Sequence, residues 1–294
     1  MRRIFYLSIV CFTAGIVGAC SRDKTIATEN IPTAGVRFIN AVPDTAGGFG
    51  LDFRFVDLVE SNAQFRVTYR NNPVTTSGVT ASTLIEYKNA RAGSRRFRVF
   101  LDDTLQSVAS VVLKDSTLNL EAGKLYTVLL MGNARSANAA DKMRLLVIDE
   151  AVADPGAQVA MRVINTTSST IDASRYAQGG TAPATPSWSA IPPYSVSTYQ
   201  TAPPGQFMFN VTSAGTSLFA DALALPGAAP RSSAGAGGKI DIEALPGTTV
   251  AGSAVTAIVF PRSVAGSKAP QSTAFLVPAI SFMWDRRPPR PAGL

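Results

Sequence analysis

Histidine is absent from the 294-residue chain, and cysteine occurs only twice, at Cys11 and Cys20. Without histidine, the chain lacks the usual general base of serine and cysteine hydrolases. Zinc sites are disfavoured for the same reason, because they need histidine or several cysteines. Cys11 lies in an N-terminal run that we expect to be removed, so no cysteine pair remains for a disulfide. We therefore predict no catalytic residue, no metal site and no cofactor.

The first twenty residues have the order of a lipoprotein signal. An arginine pair follows Met1, residues 4–17 form a short apolar run, and small residues precede Cys20. This order predicts cleavage before Cys20 and attachment of lipid to its thiol. Cleavage after Ala19 without lipid, and a retained helix, are the alternatives, although the run is shorter than a membrane-spanning helix needs. Ser21, in place of aspartate, favours the outer membrane in a host with two membranes.

From residue 35 onward, apolar and polar side chains alternate with a period of two, as in residues 96–101 (RFRVFL). Side chains on a strand point alternately to two faces, so this pattern predicts strands with one buried face. Residues 125–131 (LYTVLLM) and 145–148 are apolar throughout, which favours central strands. Short strands between Gly, Pro, Asn and Asp turns predict an all-β fold of two tandem antiparallel β-sandwich domains, Ig-like in type.

The chain also repeats itself at about the spacing of a whole domain. The matching pairs of segments are 36–40 (VRFIN) with 161–165 (MRVIN), 92–93 and 97–99 with 204–205 and 207–209, 120–129 with 250–259, and 143–148 with 273–277. We therefore predict a duplicated domain.

Composition sets the expected boundaries of these segments. Residues 177–193 and 226–238 are rich in Ala, Gly, Ser and Pro, which predicts long loops in the second copy. We predict, in order, a signal peptide over 1–19, a lipidated cysteine and polar tether over 20–34, a first module over 35–153, a second module over 157–283, and a Pro- and Arg-rich tail over 284–294.

Several of these segments together resemble the bacterial domain-of-unknown-function family numbered 4397. The resemblance is carried by residues 36–44 (VRFINAVPD), 120–128 (LEAGKLYTV) and 143–148 (MRLLVI). It covers residues 35–150 closely and 158–280 loosely. It implies tandem β-rich modules in an exported protein, and it implies no activity and no site.

The densest positive cluster consists of Arg91, Arg95, Arg96 and Arg98, and it is our candidate binding surface. Alternation places Arg96 and Arg98 on one strand face with Phe100. Such a surface suits an acidic envelope polysaccharide or a protein partner, but arginines on an outer sheet face also serve simply to solvate it. We expect no nucleic acid partner, because the chain carries an export signal.

Carboxylate pairs are the other candidates for chemistry. Asp102 with Asp103, and Asp149 with Glu150, each follow a predicted strand. We expect them to form turns with solvated carboxylates, although such residues also serve calcium sites and glycosidases. We predict a membrane-anchored envelope lipoprotein that is a non-enzymatic binding or structural module. The alternatives are a carboxylate-dependent enzyme acting on envelope glycans and an accessory subunit of an outer-membrane assembly.

Overall fold

The chain divides into two compact units, Met1–Ile31 and Pro32–Leu294, and the strands given below all lie in the second unit. The structure is a computed structural model, and it describes residues 31–43, 51–57, 87–101, 105–133, 141–223, 231–232, 241–242, 246–263 and 275–288.

The described part of the first module has seven strands and one short helix. The strands are β1 (Thr33–Ala41), β2 (Leu51–Phe55), β3 (Lys88–Arg91), β4 (Gly93–Leu101), β5 (Val112–Leu120), β6 (Leu125–Met131) and β7 (Arg144–Asp149). The helix, α1 (Gln106–Ala109), joins β4 to β5. An inner sheet has the order β3-β1-β6-β7, and an outer sheet has the order β2-β4-β5. Within the described ranges, no helix has the length and apolar character to span a membrane.

The second module is also built from an inner and an outer sheet. Its strands are β8 (Val159–Asn165), β9 (Ile171–Ala177), β10 (Trp188–Ile191), β11 (Ser195–Val196), β12 (Gln200–Ala202), β13 (Phe207–Ser213), β14 (Thr216–Leu223), β15 (Arg231–Ser232), β16 (Asp241–Ile242), β17 (Ala254–Phe260) and β18 (Ala279–Arg286). The inner sheet has the order β11-β8-β17-β18, with β12 also paired to β8. The outer sheet has the order β10-β9-β13-β14, and β15 pairs with β16.

The two inner sheets follow the same plan, down to their register. β1 pairs in parallel with β6, and β8 pairs in parallel with β17. Arg37 of β1 lies beside Thr127 of β6, and Arg162 of β8 lies beside Thr256 of β17. The second module thus repeats the inner sheet of the first, including this Arg–Thr pair.

The predicted all-β class is confirmed, but the inner sheets are mixed rather than purely antiparallel. A parallel pair needs a long crossover connection. The chain between β1 and β6 contains the whole outer sheet of its module, and that sheet supplies the crossover. Alternation assigns side chains to faces but does not specify strand direction, so the sequence pattern could not reveal the parallel pairs. The Ig-like type stays a prediction.

Three apolar cores hold the sheets together. Each module has one core between its own two sheets, centred on Phe38 and Phe97 in the first and on Phe209 and Phe282 in the second. The third core lies between the two inner sheets and contains Ile39, Leu129, Ile164, Ile258 and Met283. The four sheets therefore stack in layers, and β6 and β17 are buried on both faces. Burial on both faces explains why residues 125–131 are apolar throughout.

Three predicted boundaries differ from the structure. β1 begins at Thr33, inside the predicted tether, because the Thr33 carbonyl accepts a hydrogen bond of 2.8 Å from the Gly123 amide. β10 lies within the predicted loop 177–193, because Trp188 packs into the core of the second module. β18 runs into the predicted tail and buries Trp284, so the repeat of residues 143–148 falls in β18 and not at 273–277.

Candidate functional site

Strand β4 splits the predicted basic cluster between two faces. Arg96 and Arg98 face outward with Phe100, as alternation predicted, while Arg95 is only 1% exposed. Arg95 shares its face with Phe97, which lies in the core of the first module, so it does not contribute to the predicted surface. Arg91 is half-buried at the end of β3.

The outer face of the β2-β4-β5 sheet carries an acidic side chain beside the two arginines. Asp115 of β5 accepts hydrogen bonds from Arg96 at 3.1 and 2.8 Å and from Arg98 at 2.9 Å. The hydrogen bonds from Arg96, followed by those from Arg98, lower the pKa of Asp115 to about 2. Much of the positive charge predicted for this surface is therefore paired within the protein, as on an ordinary solvated sheet face.

Arg95 has its own counter-ion inside the first module. Its Nε lies 3.0 Å from Asp57 Oδ2, and its guanidinium lies 4.6 Å from the centre of the Phe55 ring. Burial alone would raise the pKa of Asp57, but the hydrogen bonds from Arg95 and the backbone outweigh that effect and lower it. Arg95 is thus a paired charge at the rim of the core.

The predicted acid pair after β7 divides between surface and interior. Asp149 is exposed, and its carboxylate lies 2.8 Å from Lys124 Nζ, which also contacts Glu121 at 3.0 Å. Glu150 is only 8% exposed, so the expectation of a solvated carboxylate is wrong for this residue. It turns inward because it binds two buried arginines. Asp102, Asp103 and Cys20 lie outside the described residues.

Glu150 belongs to a buried set of charges between the inner sheets, which we call the interface network. The network consists of Arg37 and Glu150 of the first module and Arg162 and Asp285 of the second. Arg37 Nη2 lies 2.5 Å from Asp285 Oδ1 and 3.2 Å from Glu150 Oε1. Arg162 Nη2 lies 2.7 Å from Glu150 Oε1 and 3.5 Å from Asp285 Oδ1. Each arginine therefore contacts the acid of its own module and the acid of the other.

The two halves of the interface network are built alike. In the first, Arg37 Nε donates to Thr127 Oγ1 at 2.7 Å, and the threonine hydroxyl donates to Glu150 at 2.5 Å. In the second, Arg162 Nε donates to Thr256 Oγ1 at 2.7 Å, and the threonine hydroxyl donates to Asp285. The repeated Arg–Thr register of the inner sheets thus produces a repeated Arg–Thr–acid chain.

A tyrosine flanks each arginine of the network. Tyr87 lies before β3 with its ring 4.9 Å from the Arg37 guanidinium, and Tyr199 lies before β12 with its ring 4.7 Å from that of Arg162. The Tyr199 hydroxyl also donates to Asp285 at 2.8 Å. Burial raises the pKa of both tyrosines. Both phenols are therefore neutral at physiological pH.

Arg37 and Asp285 are held in their charged forms inside the network. Burial alone would raise the pKa of Asp285, but Arg162 and Arg37 outweigh burial and lower it. Burial likewise opposes the charge of Arg37, yet Asp285 and Glu150 more than offset it, so the Arg37 pKa is raised. Groups that keep their charge in this way are suited to joining two surfaces and not to transferring protons.

Sequence reasoning did not identify the interface network. A signal was present, because residues 36–40 and 161–165 each place an arginine second in an otherwise mostly apolar segment. A charged side chain in a strand buried on both faces needs a partner. Arg37 is 113 residues from Glu150, and Arg162 is 123 residues from Asp285. Glu150 and Arg162 are 12 residues apart but belong to different modules, so strand pattern alone could not predict these pairings. Across the described ranges, no group of three or more His, Cys, Asp or Glu side chains could hold a metal ion.

The fold defines an all-β protein of two β-sandwich modules that pack through their inner sheets. Residues 34–174 match the model of a family described as Domain of unknown function (DUF4397). This match confirms the resemblance seen in the sequence, and it extends from β1 into β9 of the second module. No curated protein matches the chain.

Proposed function

We propose that this protein is a lipid-anchored protein of the cell envelope whose two modules form a non-enzymatic binding or structural unit. The anchor is supported by the arginine pair, the apolar run over 4–17 and the small residues before Cys20. Ser21 supports the outer membrane as its location in a host with two membranes. An envelope polysaccharide or another envelope protein is the proposed partner.

The interface network is the observation that carries the binding or structural role. Glu150 and Asp285 belong to different modules, and both contact the same atom, Arg37 Nη2. Arg37 therefore holds the two acids close together. Their side chains are 1% and 0% exposed, and both are bound by arginines of both modules. Separating the modules would leave buried charges without their partners, which is strongly destabilising, so the network fixes the modules to each other. A fixed pair of modules is suited to presenting surfaces in a constant orientation.

The same geometry favours binding over hydrolysis by a pair of carboxylates. A glycosidase needs one carboxyl group with a raised pKa to protonate the leaving group. The pKa of Asp285 is lowered, and its carboxylate is buried away from any glycan. Glu121 and Asp149 also lie near each other at the surface, but Lys124 lies between them.

Substitution of Cys20 tests the anchor. Cys20→Ala should release the protein from membranes and abolish labelling with a radioactive fatty acid, as measured by fractionation and autoradiography. The matched control is Cys11→Ala, which changes a cysteine inside the removed segment and should leave both readouts unchanged. Membrane retention of Cys20→Ala would contradict lipid anchoring.

Capture from envelope extract tests the binding role. The full chain with Cys20→Ala, immobilised on resin, should retain a specific polysaccharide or protein, whereas a heat-unfolded sample should not. Recovery of several outer-membrane proteins in fixed ratio would instead support the accessory-subunit role. Release of soluble sugar from the extract, lost in Asp149→Asn, would overturn the non-enzymatic assignment.

A further inference from the structure

Arg175 is an inward-facing arginine in the outer sheet of the second module. It lies on β9 opposite Phe209 of β13, which belongs to the core of that module. Its Nη2 donates to the Thr201 carbonyl at 3.3 Å, while its Nη1 is buried and has no hydrogen-bond partner. The side chain as a whole is half-buried, so part of it still reaches the surface.

No carboxylate balances the charge of Arg175 among the described residues. The other inward arginines, Arg37, Arg95 and Arg162, each contact at least one acid. Burial lowers the pKa of Arg175, and no neighbouring charge acts in the opposite direction. Partly burying a guanidinium without a counter-ion costs free energy, so the burial of Arg175 needs an explanation.

The corresponding end of the first module has an arginine whose charge is balanced by an acid, and it can be compared with Arg175. β2 and β9 are corresponding strands. β2 pairs with β4, which pairs on its other side with β5, and β9 pairs with β13, which pairs on its other side with β14. Phe55 lies opposite Phe97 in the first module, and Arg175 lies opposite Phe209 in the second. The register of β4 with β5 shifts after Val99, and that of β13 with β14 shifts after Val211. Phe97 therefore corresponds to Phe209, and not to Phe207 as the sequence similarity suggested, so Arg175 takes the position of Phe55.

The arginine and the aromatic ring have exchanged strands between the modules. Arg95 precedes Phe97 by two positions on β4, and Phe207 precedes Phe209 by two positions on β13. The guanidinium-to-ring distance is 4.6 Å for Arg95 with Phe55 and 5.3 Å for Arg175 with Phe207. Both modules thus keep one cation–aromatic pair at this end of the sandwich.

The counter-ion is the part that differs. Asp57 lies two positions after Phe55 and supplies the carboxylate for Arg95. The residue two positions after Arg175 is Ala177, which has no polar side chain. Ala177 is exposed, so the place of the missing carboxylate lies at the protein surface.

We propose that Arg175 binds the carboxylate of an external ligand in the place that Asp57 fills in the first module. Arginine binds carboxylates through two parallel hydrogen bonds, and the rings of Phe207 and Trp188 flank this guanidinium at 5.3 and 5.7 Å. The ligand is therefore a carboxylate-bearing molecule that approaches the end of the second sandwich. The site deepens the proposed binding role by naming the chemistry of its ligand.

Titration of the full chain with acetate, followed by NMR, tests the site. The chain has two tryptophans, so two indole N–H signals are expected. The Trp188 ring lies 5.7 Å from the Arg175 guanidinium, and its indole donates to the Thr198 carbonyl at 3.1 Å. Acetate at constant ionic strength should shift the Trp188 signal in a saturable way, and equal concentrations of glucose should not. A larger response to glucuronate than to acetate would show that the site binds an acidic sugar. An equal response would show that the site recognises the carboxylate group alone.

Two variants separate this site from a general effect of salt. Arg175→Gln should lose the saturable shift, and its melting temperature reports whether it folds. Ala177→Asp should also lose the shift, because it supplies an internal carboxylate, and it leaves Arg175 in place. The absence of a saturable shift in the unmodified chain, or an unchanged shift in both variants, would overturn the proposal.

Capture from envelope extract distinguishes failure of this site from failure of the proposed function. If Arg175→Gln retains the captured partner and acetate has no effect, the carboxylate site is wrong and the binding role stands. If the unmodified chain captures nothing but acetate binds at Arg175, the site stands and the envelope partner is wrong.

Discussion

The two modules share one strand plan but treat the arginine at the end of the sandwich differently. In the first, the buried Arg95 pairs with Asp57, which lies at the protein surface. In the second, Arg175 keeps an aromatic neighbour but has no acid beside it in the part of the chain that the structure describes. The comparison shows that two copies of a fold can each place an arginine beside an aromatic ring at the same end of the sandwich, on different strands and with different internal partners. What was a structural ion pair in one copy is available as a binding group in the other.

The interface network offers a second comparison, within one cluster. Asp285 binds both arginines and also accepts from Thr256 and Tyr199. Glu150 binds both arginines through Oε1, while its Oε2 is buried without a partner. The two acids occupy related places but are not equally satisfied, so they should not contribute equally to stability.

The largest expected effect is the loss of Asp285. Asp285→Ala leaves two buried arginines underpaired and should lower the free energy of unfolding by about 3–5 kcal/mol. Glu150→Ala should cost less, because one oxygen of Glu150 already lacks a partner. Urea denaturation followed by circular dichroism measures both. An equal decrease in the free energy of unfolding for the two variants would contradict the unequal contributions of Asp285 and Glu150.

The next effect tests the paired arginine of the first module. Asp57→Ala leaves Arg95 buried without its acid and should lower the free energy of unfolding by about 1–3 kcal/mol. Asp115→Asn is the control. Asp115 and Asp57 are both exposed, but Asp115 binds two arginines that reach solvent, whereas Asp57 binds a buried one, so the control should cause no detectable change. If the control lowers the free energy of unfolding as much as Asp57→Ala does, burial of Arg95 is not the reason that its ion pair stabilises the fold.

Acid should weaken the interface network. Because the pKa of Asp285 is lowered in the folded protein, its contribution is fully present above the ordinary aspartate pKa and is lost as the pH falls below about 4. One such carboxylate changes the free energy of unfolding by at most about 1.4 kcal/mol per pH unit. Urea denaturation at several pH values between 7 and 3 measures how the free energy of unfolding changes with pH. An Asp285→Asn variant that keeps the same acid slope would show that other groups cause it.

The smallest effect is a gain of stability in the second module. Ala177→Asp should place a carboxylate near Arg175 and raise the free energy of unfolding by about 0.5–1 kcal/mol, a typical value for a well-placed pair near the surface. Ala177→Asn has nearly the same shape without the charge and should give no gain. Thermal unfolding at low salt measures both. A gain that persists in 1 M salt would contradict an electrostatic origin.

Sequence reasoning predicted the features that depend on local pattern. Alternation gave the strand class and placed Arg96, Arg98 and Phe100 on one face of β4. The same alternation puts Arg95 on the inner face with Phe97, a consequence that the search for a dense positive cluster overlooked. The duplicated segments identified β1 and β8 as corresponding strands, because both keep an arginine within an apolar segment.

The features that depend on distant pairing could not be predicted. The burial of Glu150 follows from Arg37, which is 113 residues away, and from Arg162, which is 12 residues away but lies in the other module. Local alternation signals neither contact. The strand containing Trp284 and Asp285 lies in a segment whose composition, rich in Pro and Arg, indicated an irregular tail. Its position is determined by packing of Trp284 in the core and by the contacts of Asp285, which are tertiary effects.

Exchange of the counter-ion between the modules tests the central comparison most directly. In the full chain with both Asp57→Ala and Ala177→Asp, acetate should no longer shift the Trp188 indole signal. It should instead produce a saturable shift of the Arg95 Nε–H signal, which acetate does not change in the unmodified chain. A Trp188 response that persists in the double variant, with no response at Arg95, would contradict the account.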